Sequence, residues 1–124
     1  MSSTAFVIDD SSLDRQLISR QLKDLSVDCI AFDNGRQALE EIEATVPGVC
    51  VVDIYMPDMD GLEVIRTLRR RGYEGLVIAI TGQSRNATFD VLKYAESFGA
   101  DVVMNKPVNA ERLAQAVTKE LRAS

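Results

Sequence analysis

The chain has 124 residues, a formal net charge of −5 and no histidine. This length fits one domain and is too short for two domains with separate cores. The lack of histidine excludes a Ser-His-Asp site, a Cys-His site, histidine metal ligands and a phosphohistidine carrier. A metal would then be held mainly by oxygen, which favours a hard cation such as Mg²⁺. The acidic balance argues against a nucleic-acid partner, which needs a basic face.

Cysteine usage and the short apolar runs favour a cytoplasmic protein without membrane contact. We interpret Cys29 and Cys50 as small core residues, with a disulfide or a redox role as the alternative. The longest purely apolar run, residues 76–80, is far too short to cross a membrane. The first residues lack the basic and apolar regions of a signal peptide.

Apolar runs rich in β-branched residues alternate with stretches of helical periodicity. Continuous apolar runs of three to five residues are typical of strands buried on both faces in a parallel sheet. In chain order the runs are 5–8, 29–32, 49–52, 76–80 and 102–104. The second run is weaker and suits an edge strand.

Between and after these runs, apolar residues recur at helical spacing. The five predicted stripes are Leu13, Leu17, Ile18, Leu22 and Leu25; Ala38, Leu39 and Ile42; Leu62, Ile65 and Leu68; Val91, Leu92, Ala95 and Phe98; Leu113, Val117 and Leu121. The strand-helix unit therefore occurs five times, which predicts a parallel sheet with helices on both faces.

Capping signals accompany the predicted helices. Residues suited to N-caps are Ser11 (with Asp14 completing a capping box), Asn34, Asn86 and Asn109. Gly72 and Gly99 are placed where helices should end. We interpret the arginines at 69–71 as cations that complement the dipole at a helix C-terminus, with a docking patch as the alternative.

Polar residues follow four of the five apolar runs. Asp9 and Asp10 follow the first run, Asp53 the third, Thr81 the fourth, and Lys106 comes shortly after the fifth. Because parallel strands end at the same edge of a sheet, where ligands bind in open α/β folds, we expect these residues to lie together. Taken singly, Asp10 could cap a helix, Thr81 could belong to a turn and Lys106 could be solvated.

Three carboxylates at adjacent strand ends repel one another and raise one another's pKa values. One lysine cannot neutralise three acids, whereas a divalent cation can, and Mg²⁺ prefers oxygen ligands. A carboxylate nucleophile, a metal, a hydroxyl and an ammonium group are the parts that phosphoryl transfer needs.

At these residues the sequence resembles the receiver domain of two-component response regulators. The resemblance runs from Phe6 to about Leu121, with motifs at residues 7–10 (VIDD), 52–61 (VDIYMPDMDG), 79–82 (AITG), 99–101 (GAD) and 105–107 (NKP). It implies an α/β fold, a flavodoxin-like (βα)5 three-layer sandwich with a five-stranded parallel sheet in the order 2-1-3-4-5. We expect a single receiver domain over residues 1–124, with its core at about 4–122 and no output domain.

The resemblance also implies a role for each acid. Asp53 matches the phosphorylated aspartate, which also contacts the metal. Asp10 matches the direct Mg²⁺ ligand, and Asp9 matches the acid that acts mainly through metal-bound water. The backbone carbonyl of Tyr55 matches the third protein ligand.

The remaining motif residues have matches as well. Thr81 matches the hydroxyl that meets the phosphoryl group, and Lys106 matches its ion-pair partner. Pro57 and Gly61 match the loop after the phosphorylated strand end. A cis bond is implied before Pro107, where an X-Pro bond makes cis inexpensive.

The sequence departs from the family at Val103, where an aromatic residue usually turns inward upon activation. Valine is stiff at χ1 and has no ring to move, so we expect a different switch relay. Tyr94 on the fourth helix either supplies another surface signal, or simply packs there or is exposed. Tyr55 and Gln83 match positions that border the path of the hydrolytic water, so we expect them to tune the phosphoryl lifetime.

We therefore interpret the chain as a signalling phosphoacceptor and not as an enzyme, although it would promote its own phosphotransfer and dephosphorylation. The donor would be a sensor histidine kinase, a His-phosphotransfer protein or a small phosphodonor. The output would be a downstream protein bound by the face of the fourth helix, fifth strand and fifth helix. One alternative is a receiver-like module that works without phosphorylation. Another is a magnesium-dependent aspartyl phosphatase, which requires an acid where this chain has Tyr55.

Overall fold

The computed structural model describes residues 4–56, 60–82 and 89–123, without the side chains of residues 89–92 and 121–123. Strands and helices alternate along it as predicted. They are β1 (Thr4–Ile8), α1 (Ser12–Lys23), β2 (Asp28–Phe32), α2 (Gly35–Glu41), β3 (Val49–Asp53), α3 (Gly61–Arg70), β4 (Leu76–Thr81), α4 (Phe89–Phe98), β5 (Val102–Asn105) and α5 (Ala110–Ala123). Within these ranges, no helix is long and apolar enough to cross a membrane.

The five strands form one parallel sheet in the order β2-β1-β3-β4-β5. This confirms the predicted fold class and strand order. β2 lies at an edge, and its side chains are exposed or only partly buried, which explains its weaker apolar run. β1 and β3 are neighbours, with Ile8 opposite Val52, so the acids that follow β1 lie beside the one that ends β3.

Helices cover both faces of the sheet. Ile18 and Leu22 of α1 and Leu113 and Val117 of α5 pack in one buried cluster. The helices α2, α3 and α4 contribute to a second cluster on the other face. Successive strand residues point to opposite faces, and this alternation divides β3 between the clusters: Val51 joins the first and Val52 the second.

Three side chains that were predicted to lie in the core are partly or largely exposed. Leu13 and Leu17 of α1 are 65% and 48% exposed. Asp14 and Ile18 are four positions apart and lie on the inward side of α1. Leu13 and Leu17 immediately precede them in the sequence, so they lie on the side that faces solvent. Cys29 is only partly buried on edge strand β2, whereas Cys50 is buried as predicted; both are free thiols. Burial raises the pKa of Cys50 to about 12.

The helix boundaries follow most of the capping signals. The side chains of Ser11, Asn34 and Asn109 accept backbone hydrogen bonds at the starts of α1, α2 and α5. Asn86 lies outside the described residues. α3 and α4 end just before Gly72 and Gly99, whose φ values of +88° and +121° favour glycine.

Arg69 does more than complement the dipole of α3. Its guanidinium donates to the carbonyls of Tyr73 at 2.8 Å, Gly75 at 3.0 Å and Gly99 at 2.9 Å. It also pairs with Asp101 at 2.9 Å. These bonds join α3 to the chain entering β4 and β5, at the amino end of the sheet, so this arginine stabilises the fold.

Candidate functional site

The three predicted acids meet at the carboxyl end of β1 and β3. Asp9, Asp10 and Asp53 each offer a carboxylate oxygen, and these oxygens lie within 4.8 Å of one another. Asp9 and Asp53 are buried, whereas Asp10 is exposed. The neighbouring positions of the two strands bring the acids together, so the structure agrees with the reasoning from strand ends.

Lys106 points into this acidic cluster. Its Nζ lies 2.9 Å from Asp9 Oδ2, 2.8 Å from Asp14 Oδ2 and 3.2 Å from Asp53 Oδ2. Its side chain is only 18% exposed, which excludes the alternative of a solvated surface lysine. Its backbone N–H donates to the carbonyl of Thr81 at 2.8 Å, so the chain after β5 is tied to the end of β4.

Two buried oxygens in the site have no hydrogen-bond partner among the described residues, Asp9 Oδ2 and Thr81 Oγ1. The Asp9 oxygen is close to Lys106, but the contact lacks hydrogen-bond geometry and is electrostatic only. A buried polar atom without a partner costs free energy unless something else satisfies it. The site therefore has spare capacity to bind a cation at Asp9 and an acceptor at Thr81.

Burial and charge change the acidity of the central groups. Burial of Asp53, together with the nearby charge of Asp9, raises its pKa to about 7, while Lys106 opposes the rise. The pKa of Lys106 is raised despite its burial, because Asp14, Asp9 and Asp53 stabilise its charge. The ammonium thus stays protonated near neutral pH.

Hydrogen bonds fix the backbone around Asp53. Asp53 Oδ1 accepts the N–H of Tyr55 at 3.1 Å, and the N–H of Gly61 donates to the carbonyl of Ile54 at 2.9 Å. A Cβ at Gly61 would overlap the backbone of Asp53 and Ile54. Glycine is therefore required at this position of the motif, which lets α3 start against the strand that carries the acid.

The remaining predicted residues differ in their exposure and packing. Tyr55 is 37% exposed beside Asp53. Val103 is partly buried, packs against the cluster under α4 and lies opposite Ala79. Tyr94 on α4 is 57% exposed. The Lys106–Pro107 bond is cis, as the resemblance implies. Gln83 and Pro57 lie outside the described residues.

Sequence reasoning missed three residues near the site. Asp14 binds Lys106 instead of completing the capping box. Arg15 donates to the backbone carbonyl of Asp9 at 2.7 Å. Asp60 caps α3 by accepting the N–H of Glu63 at 2.9 Å. The cap could have been found, since an aspartate precedes Gly61 and the apolar stripe by the spacing of an N-cap.

The donor set suits a hard divalent cation. Clustered carboxylate oxygens, one of them exposed to water, match the partly hydrated coordination that Mg²⁺ prefers. Among the described residues, Asp9 Oδ2 accepts no hydrogen bond and is paired only electrostatically with Lys106. A further positive charge placed between these acids would stabilise this oxygen and lower the raised pKa of Asp53. The residues present therefore fit the metal.

Comparison with known proteins gives a consistent result. The model of the response regulator receiver domain matches residues 5–118. The cyclic di-GMP phosphodiesterase of Thermotoga maritima is 29% identical over 96% of this chain and 31% of its own length. The DNA-binding transcriptional regulator NtrC of Escherichia coli K12 is 30% identical over 94% of this chain and 24% of its own length. The chain thus spans less than a third of either relative.

Solved structures show the same fold. The signal receiver domain of a putative Luxo repressor protein from Vibrio parahaemolyticus superposes with a TM-score of 0.88 and 26% identity. The match covers 99% of this chain and 92% of that one.

Proposed function

Because this chain belongs to the response regulator receiver family, a family of phosphorelay signalling, we propose that Asp53 is the residue on which it accepts a phosphoryl group. The observation that carries the proposal is the surroundings of this carboxylate. Asp53 is buried at the end of β3, 3.2 Å from the Lys106 ammonium and in a cluster with two further acids. The hydroxyl of Thr81, which has no hydrogen-bond partner in the described part of the chain, ends the neighbouring strand β4.

In the proposed transfer, a carboxylate oxygen of Asp53 attacks the phosphorus of a phosphohistidine on the donor. A P–O bond forms as the P–N bond breaks, and the imidazole leaves with the bonding electrons and takes a proton from solvent. Lys106 and Thr81 then bind the phosphoryl oxygens. Hydrolysis by water releases phosphate and restores the carboxylate.

Asp9, Asp10, Asp53 and the backbone carbonyl of Tyr55 would hold Mg²⁺. When bound, this ion offsets the negative charge that gathers between the carboxylate and the phosphoryl group. The chain contributes the fixed positions of these oxygens, since backbone bonds at Tyr55 and Gly61 hold the end of β3 in place.

Phosphorylation adds about −1.5 to −2 charge to the site. We expect Thr81 to move toward the new group and the following segment to move with it, shifting the populations of two states of the α4–β5–α5 face. Val103 is partly buried against the core cluster that includes Ala95 of α4. The relay would therefore proceed through packing of this valine and through Tyr94, and not through the swing of an aromatic ring.

The donor would be a sensor histidine kinase, a His-phosphotransfer protein or a small phosphodonor. The phosphorylated chain would then act on a downstream protein. The activity is that of a cytoplasmic phosphoacceptor and not of an enzyme with turnover of its own, and it involves neither nucleic acid nor membrane. We propose that residues 1–124 act as one receiver domain.

A small phosphodonor tests the proposal directly. With acetyl phosphate and Mg²⁺, we expect intact-mass spectrometry to detect one added phosphoryl group, absent in Asp53→Asn. The matched control is Asp33→Asn, because Asp33 is an exposed acid after β2 at the same edge of the sheet. Phosphorylation of Asp53→Asn, or none in the wild type, would overturn the proposal. The second result would favour a module that binds partners without phosphorylation.

Beryllofluoride, a phosphoryl mimic, tests the relay. With Mg²⁺, we expect its binding to shift the amide NMR signals of Asp53, Thr81 and Val103 in the wild type and none of them in Asp53→Asn. Shifts at the first two residues without the third would exclude Val103 from the relay.

A further inference from the structure

Asp14 is a fourth acid at the site, and it comes from a helix and not from a strand end. It lies in the first turn of α1, and its side chain is 28% exposed. Its Oδ2 lies 2.8 Å from Lys106 Nζ, closer than the oxygens of Asp9 or Asp53. The resting lysine is therefore held at least as firmly by α1 as by the phosphoacceptor.

The start of α1 leaves the carboxylate of Asp14 available for this contact. In a capping box, the acid would accept the backbone N–H of Ser11. Here that N–H donates to Asp9 Oδ1 at 2.9 Å. The N–H of Asp14 still donates to Ser11 Oγ at 3.3 Å. The helix is thus capped by Ser11 and Asp9, while the Asp14 side chain turns to Lys106.

An ammonium group has three N–H donors, and three carboxylates surround that of Lys106. The ammonium donates hydrogen bonds to Asp14 and Asp53 and is paired electrostatically with Asp9, so a phosphoryl group on Asp53 has to compete with these carboxylates for Lys106. Asp9 and Asp53 are also candidate metal ligands, so a bound cation weakens their hold on the lysine. Asp14 lies outside the group of acids that could share one metal ion. A metal ion bound by the other acids therefore leaves the attraction between Asp14 and Lys106 in place.

We propose that Asp14 is a positioning residue that competes with the phosphoryl group on Asp53 for Lys106, and so limits the affinity of the site for that group. The inference rests on the proposed function of Asp53. It concerns the stability of the phosphorylated state and not whether phosphorylation occurs.

The test compares Asp14→Asn with Glu63→Gln in the full chain. Glu63 occupies the same place in α3, three residues after its N-cap Asp60, and it is exposed. Both changes remove one acid from the first turn of a helix, but only the first removes a partner of Lys106. The measured quantity is the affinity for beryllofluoride at saturating Mg²⁺, from amide NMR titration, with the spectra verifying that each variant is folded.

We expect Asp14→Asn to bind beryllofluoride roughly two- to fivefold more tightly, as the loss of a competing, partly exposed ion pair predicts. Glu63→Gln should match the wild type, and Asp14→Glu should restore an affinity near that of the wild type. The lifetime of the phosphoryl group after removal of the donor should lengthen in Asp14→Asn.

Equal affinities in Asp14→Asn and Glu63→Gln would show that Asp14 serves only the helix, and a weaker affinity in Asp14→Asn would show that it helps Lys106 to bind the group. Either result overturns this inference and leaves the proposed function intact. No response to beryllofluoride in the wild type would overturn both.

Discussion

At the amino end of the sheet, the guanidinium of Arg69 donates to three carbonyls and to Asp101, which also accepts the N–H of Val77. At the carboxyl end, the buried oxygens Asp9 Oδ2 and Thr81 Oγ1 have no hydrogen-bond partner within the described part of the chain. The first end uses charge to complete the fold. The carboxyl end has buried oxygen atoms that can still bind a cation or a ligand. This difference between the two ends indicates that the functional site is at the carboxyl end of the sheet.

Removing Arg69 is expected to have the largest effect on stability. Arg69→Met would leave the carbonyls of Tyr73, Gly75 and Gly99 without this donor, at a cost of about 2–4 kcal/mol in the free energy of unfolding. Urea denaturation measures this change. The control Arg70→Met, at an exposed neighbour in the same helical turn, should stay within about 0.5 kcal/mol of the wild type. Loss of beryllofluoride binding in the folded Arg69→Met variant would contradict the separation of the two ends.

Mg²⁺ should stabilise the carboxyl end without any phosphodonor. At 10 to 100 times its dissociation constant, a bound ion adds about 1.4–2.7 kcal/mol to the free energy of unfolding. Asp10→Asn, at an exposed acid of the cluster, should lose most of this gain. The control Asp24→Asn, which changes an exposed acid at the end of α1, should keep it. Equal gains in both variants would place the ion elsewhere.

The buried carboxyl group of Asp53 should make the metal-free protein sensitive to pH. Its pKa is raised to about 7 in the folded state, above the unfolded value of about 4. The folded state therefore binds the proton more tightly, and stability is lost as the pH rises from about 4 to 7. Between pH 5 and 8 in a chelator, the wild type should lose about 1–2 kcal/mol relative to Asp53→Asn, after Lys106 and water relax around the charge. Parallel pH profiles in urea denaturation would contradict this.

Tyr55 should have the smallest effect, on rate alone. Tyr55 is exposed, and its backbone N–H donates to Asp53 Oδ1, so its side chain starts close to the phosphoacceptor and Tyr55→Ala should change the rate of self-dephosphorylation several-fold, or about 1 kcal/mol in the barrier. The affinity for Mg²⁺ should change less, because only the backbone carbonyl of this residue is a candidate ligand. The rate is measured by intact-mass spectrometry, from the loss of the phosphorylated species over time. Equal rates in the two proteins would exclude shielding by the ring.

The sheet could be predicted from the sequence because its strands are continuous apolar runs, which only burial on both faces explains. The stripe of α1 was less informative. It contains leucines on two adjacent faces, and periodicity alone does not say that Leu13 and Leu17 face solvent. The orientation of this helix depends on contacts with α5 and the sheet that no local pattern contains.

The site followed from the rule that parallel strands end at one edge, which brought Asp9, Asp10 and Asp53 together. The partners of Lys106 did not follow from it. Asp14 is distant from Lys106 in sequence and has a plausible local role as a capping acid, so nothing in the sequence pointed to their contact. Arg69 was likewise given a local role at a helix end, whereas its acceptors extend to Gly99 and Asp101.

The enclosure of Lys106 has a practical consequence for chemical labelling. Amine-acylating reagents require a deprotonated and accessible amine, and this one is mostly buried among three carboxylates with a raised pKa. Lys23 and Lys119 are exposed and should be acylated first. Acylation of the peptide that carries Lys106, detected by its mass, would then report that the pocket has been rearranged.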